Sequence, residues 1–154
     1  LHGLFGLPPG PGLAEVLAGQ ATLEEALRED SRSGLVVLTT GAGVRYPAHL
    51  LSADRLFPVM SALRQQFASV LIDGPPVLPV VDARILANWT DCCLLVVKWG
   101  STPIDAVRNA SHLLRKTGRP VGVVFNQVDG RHARHYAPDV YGMLPDFEKT
   151  YWRN

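Results

Sequence analysis

The sequence predicts an α/β fold built on an open, mostly parallel sheet with helices on both faces. Three observations carry the prediction. Short apolar runs recur at Leu35–Leu38, Val70–Ile72, Cys92–Val97 and Val121–Phe125. Stretches with apolar residues at three- and four-residue spacing lie between them. The runs are apolar at successive positions, which suits strands covered on both faces. Alternation of this kind implies βαβ units and parallel pairing.

Composition narrows the classes further. The 154 residues suffice for one domain with a core. At 47% hydrophobic and 19% charged, the chain is globular rather than disordered. A net charge of +1 leaves no electrostatic footprint for nucleic acid. No apolar stretch approaches the ~18–20 residues of a membrane span, and no signal peptide is visible. Cys92 and Cys93 are neighbours on a predicted strand, so they point to opposite faces and make poor disulfide partners. Buried, reduced thiols of a cytoplasmic protein are expected. The first residue is Leu1 rather than Met, which suggests a fragment or a processed piece.

The elements follow in order. Residues 1–11 are rich in Gly and Pro and form a loop with apolar pegs at Leu4, Phe5 and Leu7. Leu13 to Leu17 is a short helix stopped by Gly19. Thr22 and Glu25 make a capping box for a second helix through Ala26 and Leu27. Asp30 to Gly34 is a turn, and Leu35 to Leu38 a buried strand. Ser52 caps a helix whose face is Leu56, Met60, Leu63 and Phe67, with Pro58 inside the pattern. Val70 to Ile72 is a strand stopped by Pro75 and Pro76. Asp82 caps a helix to about Asn88, with Ile85 and Leu86 buried. Cys92 to Val97 is a strand. Pro103 occupies the first position of the next helix, whose apolar side is Ile104, Val107, Ala110, Leu113 and Leu114. Val121 to Phe125 is the last strand, ended by Asn126. From Arg131 to Asn154 no period is visible, and a mobile tail is expected.

Asp73 stands at the end of a central strand. Ligands of open α/β sheets bind beyond the carboxyl ends of their strands. An apolar run closed by Asp is the Walker B pattern, in which the carboxylate serves Mg²⁺ beside nucleotide phosphates. The alternative is a turn Asp after a buried strand. Asn126, also at a strand end, offers an amide donor and acceptor to a base edge; the alternative is an Asn that bonds its own loop. Asp82 is mainly a cap, with a supporting role behind the metal ligand as the alternative. His132 and His135 lack companion ligands and belong to a solvated tail. Trp89 and Trp99 suit packing or a partner surface.

Four blocks together resemble the bacterial tyrosine kinases of capsule and exopolysaccharide synthesis, which are P-loop ATPases similar to the partitioning and division-site ATPases. They are Leu1–Pro8 with Pro11–Leu13 and Val16–Leu17; Val70–Leu78 with Asp82–Ala83; Leu94–Gly100 with Thr102; and Gly122–Asn126 with Val128. The resemblance implies ATP and Mg²⁺ as cofactors of the intact parent domain. It gives Asp73 the metal and a part in deprotonating the acceptor tyrosine, and Asn126 the base. It makes Tyr136, Tyr141 and Tyr151 phosphoacceptors. Gly74 stands where the family usually has Thr, and Ala48-His49 where it tends to have Ser-Glu.

No G-x-x-x-x-G-K-[ST] occurs in the 154 residues. Gly41-Ala42-Gly43 has no Lys-Ser or Lys-Thr after it and is not a P-loop. The expectation is therefore the C-terminal part of a P-loop kinase domain at 1–129, lacking the N-terminal P-loop strand and helix, and a tyrosine-containing tail at 130–154. Its expected partners are the missing N-terminal part or a membrane adaptor. The parent is expected to be a homo-oligomer at the inner face of the bacterial membrane. The alternatives are a partitioning-type ATPase fragment and a degenerate, non-catalytic partner or phosphoacceptor domain.

Overall fold

The computed structural model describes residues 5–41 and 48–129. The tail with Tyr136, Tyr141, Tyr151, His132 and His135, and the loop with Tyr46, lie outside the described residues. The chain forms two compact units, one of Leu1–Pro76 with Val80–Trp89 and the other of Val77–Pro79 with Thr90–Asn154.

In the first unit, α1 (Leu13–Leu17) starts at Gly12, whose N–H donates to the Glu15 carboxylate at 2.8 Å. Gly12 lies against the backbone of Thr39 and Gly41, where a side chain has no room. Gly19 follows the helix at φ +72 and lets the chain reverse. The capping box opens α2 (Leu23–Ala26) as expected. Thr22 Oγ1 accepts from the Glu25 N–H at 3.2 Å, and the Glu25 carboxylate accepts from the Thr22 N–H at 2.8 Å.

Leu27 leaves the helix rather than extending it. Leu27–Glu29 is a strand, β1, paired antiparallel with β2 (Val36–Leu38). The connection at 30–35 is too short for a parallel crossover, which needs a dozen residues or more. The turn is held by Asp30, which accepts from the Ser33 hydroxyl and from the Ser33 N–H at 3.1 Å. Leu35 and Val36 are exposed, so the predicted burial of this run holds only for Val37.

A 3₁₀ turn at Ala48–Leu51 leads into α3 (Ala53–Gln66). Leu56, Val59, Met60 and Leu63 form its buried face and pack with Ala14, Leu17, Leu50 and Leu51. Pro58 lies inside α3 and the helix continues through it. Ser52 occupies the N-cap position but makes no capping hydrogen bond. In α4 (Asp82–Ala87) the N-cap is Val81. Asp82 is thus the first helical residue, not the cap; its charge still suits the helix N-terminus. Ile85 and Leu86 are half-buried against the core.

The run Val70–Ile72 is neither strand nor helix. Leu71 is 92% exposed, while Ile72 packs on the core. The physical reason is pairing. A strand is stable only when its N–H and C=O groups meet a neighbour, and among the described residues none pairs here.

The second unit is a βαβ unit. Strand β3 (Cys93–Lys98) and strand β4 (Val121–Asn126) are parallel, in register from Cys93 opposite Val121 to Lys98 opposite Asn126. The crossover is α5 (Ile104–Arg115), with Pro103 at its N-cap, one residue before the expected position. Ala110 and Leu114 are buried, as is Val97 of β3. Ile104 is exposed on the first turn, and Leu94, Val96 and Val124 are exposed on the sheet. Cys92 precedes the strand and is exposed, contrary to expectation; Cys93 is half-buried, and both thiols are free.

Candidate functional site

Asp73 lies in the first unit, three residues before its boundary at Pro76. Ile72 anchors the segment on the core, and the carboxylate next to it is solvent-exposed. It makes no hydrogen bond or ion pair among the described residues. An open carboxylate of this kind can take one position of a hard cation's oxygen shell. Asp82 is half-buried at the start of α4. Among the described residues no cluster of three or more His, Cys, Asp or Glu is placed to hold a metal.

Asn126 lies in the second unit as the last residue of β4. The parallel register brings the carboxyl ends of β3 and β4 together, so Asn126 sits beside Lys98. Its Oδ1 accepts from the Gln127 N–H at 2.8 Å, and its carbonyl accepts from the Trp99 N–H at 2.9 Å. That hydrogen bond orients the side-chain amide of this exposed residue. Gln127 has φ +56, a left-handed conformation that non-glycine residues rarely adopt. The adjacent Trp99 and Phe125 rings meet edge to face at 5.2 Å. Asp73 and Asn126 thus stand in different units, each exposed. Nothing in the residue pattern signals the Gln127 conformation.

Along its whole length the chain is 34% identical to a putative tyrosine-protein kinase, EpsB, of Ralstonia solanacearum, of which it covers 21%. It is 32% identical to the tyrosine-protein kinase CpsD of Streptococcus pneumoniae, over 90% of this chain and 60% of that one. Its homologues are bacterial tyrosine-protein kinases. No protein-family model matches the chain. Among solved structures, the VpsO kinase domain superposes with a TM-score of 0.77 at 31% identity, covering 84% of this chain and 64% of that domain. The Escherichia coli ETK kinase domain gives 0.79 at 29% identity, with 84% and 51% covered. The fold is therefore that of these P-loop kinase domains, and the α/β expectation holds. The chain spans only part of the length of each of these kinases. Among the described residues no helix is long and apolar enough to cross a membrane.

Proposed function

We propose that this chain is the Asp73- and Asn126-bearing, C-terminal part of an ATP-dependent protein-tyrosine autokinase that regulates capsular or exopolysaccharide polymerisation and export. The observation that carries it is the similarity to tyrosine-protein kinases along the chain, together with kinase-domain folds at TM-scores of 0.77 and 0.79. A relative named as a succinoglycan biosynthesis transport protein supports the polysaccharide context. Asp73 would hold Mg²⁺, which supplies charge neutralisation at the phosphates when bound. Asn126 would contact the base through Nδ2 and the free lone pair of Oδ1. Tyr136, Tyr141 and Tyr151 would accept phosphate. Asp82 would sit behind the metal ligand.

The phosphate cradle is not encoded in these residues. Backbone amides of a Gly-rich loop and its lysine hold phosphates in this class, and the sequence has neither. The remainder of the kinase domain is the partner this reading requires. Similarity to the chimerical protein CapA2B2, at 29% identity and a TM-score of 0.76, supports a domain assembled from parts. Membrane attachment and oligomerisation would belong to the parent. The missing loop also favours a second reading, a non-catalytic partner or phosphoacceptor domain.

A fusion separates the two. The chain is joined to the part of the E. coli ETK kinase domain that it does not cover. The kinase reading predicts ATP-dependent phosphotyrosine that disappears in Asp73→Asn. A folded fusion that forms none, while an active family kinase phosphorylates it, supports the non-catalytic reading.

A further inference from the structure

We propose that Asp73-Gly74 is a site of spontaneous aspartate isomerisation, a covalent change that reroutes the main chain through the Asp73 side chain. The pair stands in a stretch that is neither strand nor helix, and both residues are exposed. The Gly74 N–H enters no backbone hydrogen bond among the described residues. The Asp73 carboxylate has no partner among them either. A Cβ built at Gly74 would meet nothing within 4 Å, so the space around this peptide is open.

The chemistry needs water alone. The Gly74 nitrogen attacks Cγ of the Asp73 carboxyl group. The N–H proton and the carboxyl hydroxyl leave as water, and a cyclic succinimide closes. Water then adds back. Addition at Cγ breaks the new bond and restores aspartate. Addition at the main-chain carbonyl breaks the original peptide bond instead. Gly74 then stays attached through Cγ, and the old main-chain carboxyl becomes the side group. The water lost is regained, so the mass is unchanged and nothing is oxidised or reduced.

The fold favours closure here. The nitrogen must be released from hydrogen bonding, and the carboxyl must turn back toward it. A strand inside a sheet resists both, because its N–H groups are tied and its backbone is extended. Among the described residues no ladder forms at Val70–Asp73. Glycine places no Cβ beside the attacking nitrogen and leaves the peptide a wide range of dihedral angles. Asp30 shows the contrast. It is largely buried, and its carboxylate is held by the Ser33 hydroxyl and N–H. Isomerisation lengthens the main chain by one carbon and shortens the carboxylate arm by one. On the proposed kinase reading this displaces the Mg²⁺ ligand; the isomerisation itself does not rest on that reading.

Ageing of the 154-residue chain in dilute neutral buffer made with heavy-oxygen water tests the site. Peptide mapping with electron-transfer fragmentation tells α-linked from β-linked aspartate. The expected result is a β-linked isomer at Asp73 that carries heavy oxygen, and none at Asp30. Its rate should be within severalfold of the rate in denaturant. Asp129-Gly130, the second Asp-Gly pair, falls in a separate peptide. Gly74→Ala should slow the change severalfold and Gly74→Thr more, since the open space at Gly74 admits a Cβ. Far-UV circular dichroism checks that wild type and variants are folded. An Asp73 that stays α-linked in the folded chain while it isomerises in denaturant would overturn the proposal. Equal rates in wild type and a folded Gly74→Thr would overturn it too. The comparison of wild type with and without denaturant needs no variant, so it decides even where both variants fail to fold. The readout is chain linkage, without ATP or phosphate transfer. A negative result therefore leaves the kinase reading untouched, and a failed kinase assay leaves this site untouched.

Discussion

Asp73 and Asn126 stand out in the sequence because each closes an apolar run, and both residues are exposed. Asp30 was read only as part of a polar turn. It is a largely buried carboxylate, and its hydrogen bond from the Ser33 hydroxyl, aided by neighbouring amides, holds its pKa below the usual carboxylate value. The sign follows from linkage. A lowered folded pKa stabilises the fold above the unfolded value of about 3.9. That stability is lost as pH falls through the lower, folded pKa. Thermal melts of wild type should therefore weaken below about pH 4, and Asp30→Asn should flatten that acid-side fall. An unchanged acid limb in Asp30→Asn would remove Asp30 from the account. At Leu56, 1% exposed on α3, truncation to Ala leaves a cavity. A loss of about 2–5 kcal/mol is expected from denaturant melts.

At the scale of elements, the capping box at Thr22 and the amphipathic α3 were readable because their signals are local. Thr22→Ala should cost about 1 kcal/mol by the same melts, since it removes an amide acceptor at a helix start. The βαβ unit was readable too, since its strands and crossover are consecutive. The hairpin of β1 and β2 was missed. Leu27–Glu29 continues a helical pattern, and only pairing with Val36–Leu38 makes it a strand. The error at Val70–Ile72 has the opposite cause. Its apolar character is that of a central strand, but strand formation needs a neighbour, and none of the described residues supplies one. Helix starts were misjudged by a residue at Asp82 and Pro103, where propensity does not fix which residue turns first.

At the scale of the molecule, each unit shows apolar surface. Leu71 lies open in the first, and Leu94, Val96 and Val124 on the sheet of the second. Parallel sheets are ordinarily covered on both faces, and an apolar edge invites association. The isolated chain should sediment as concentration-dependent aggregates, and the fusion to the uncovered ETK part should sediment as a discrete species. On the proposed kinase reading, nucleotide chemistry follows the same division. A lone carboxylate is a weak Mg²⁺ site, because the ion usually completes its shell with substrate phosphates. Phosphoryl transfer depends on positioning and charge stabilisation. Removing one such donor typically costs about 10²–10³ in rate, so on that reading the chain alone is expected to show no measurable turnover.

Titration calorimetry with Mg²⁺ and ATP tests this division most directly, run on the chain alone and on the fusion. The account predicts no binding heat for the chain and saturable binding for the fusion. Micromolar binding by the chain alone, abolished by Asp73→Ala, would contradict it, because the strand-end carboxylate would then hold nucleotide without a cradle.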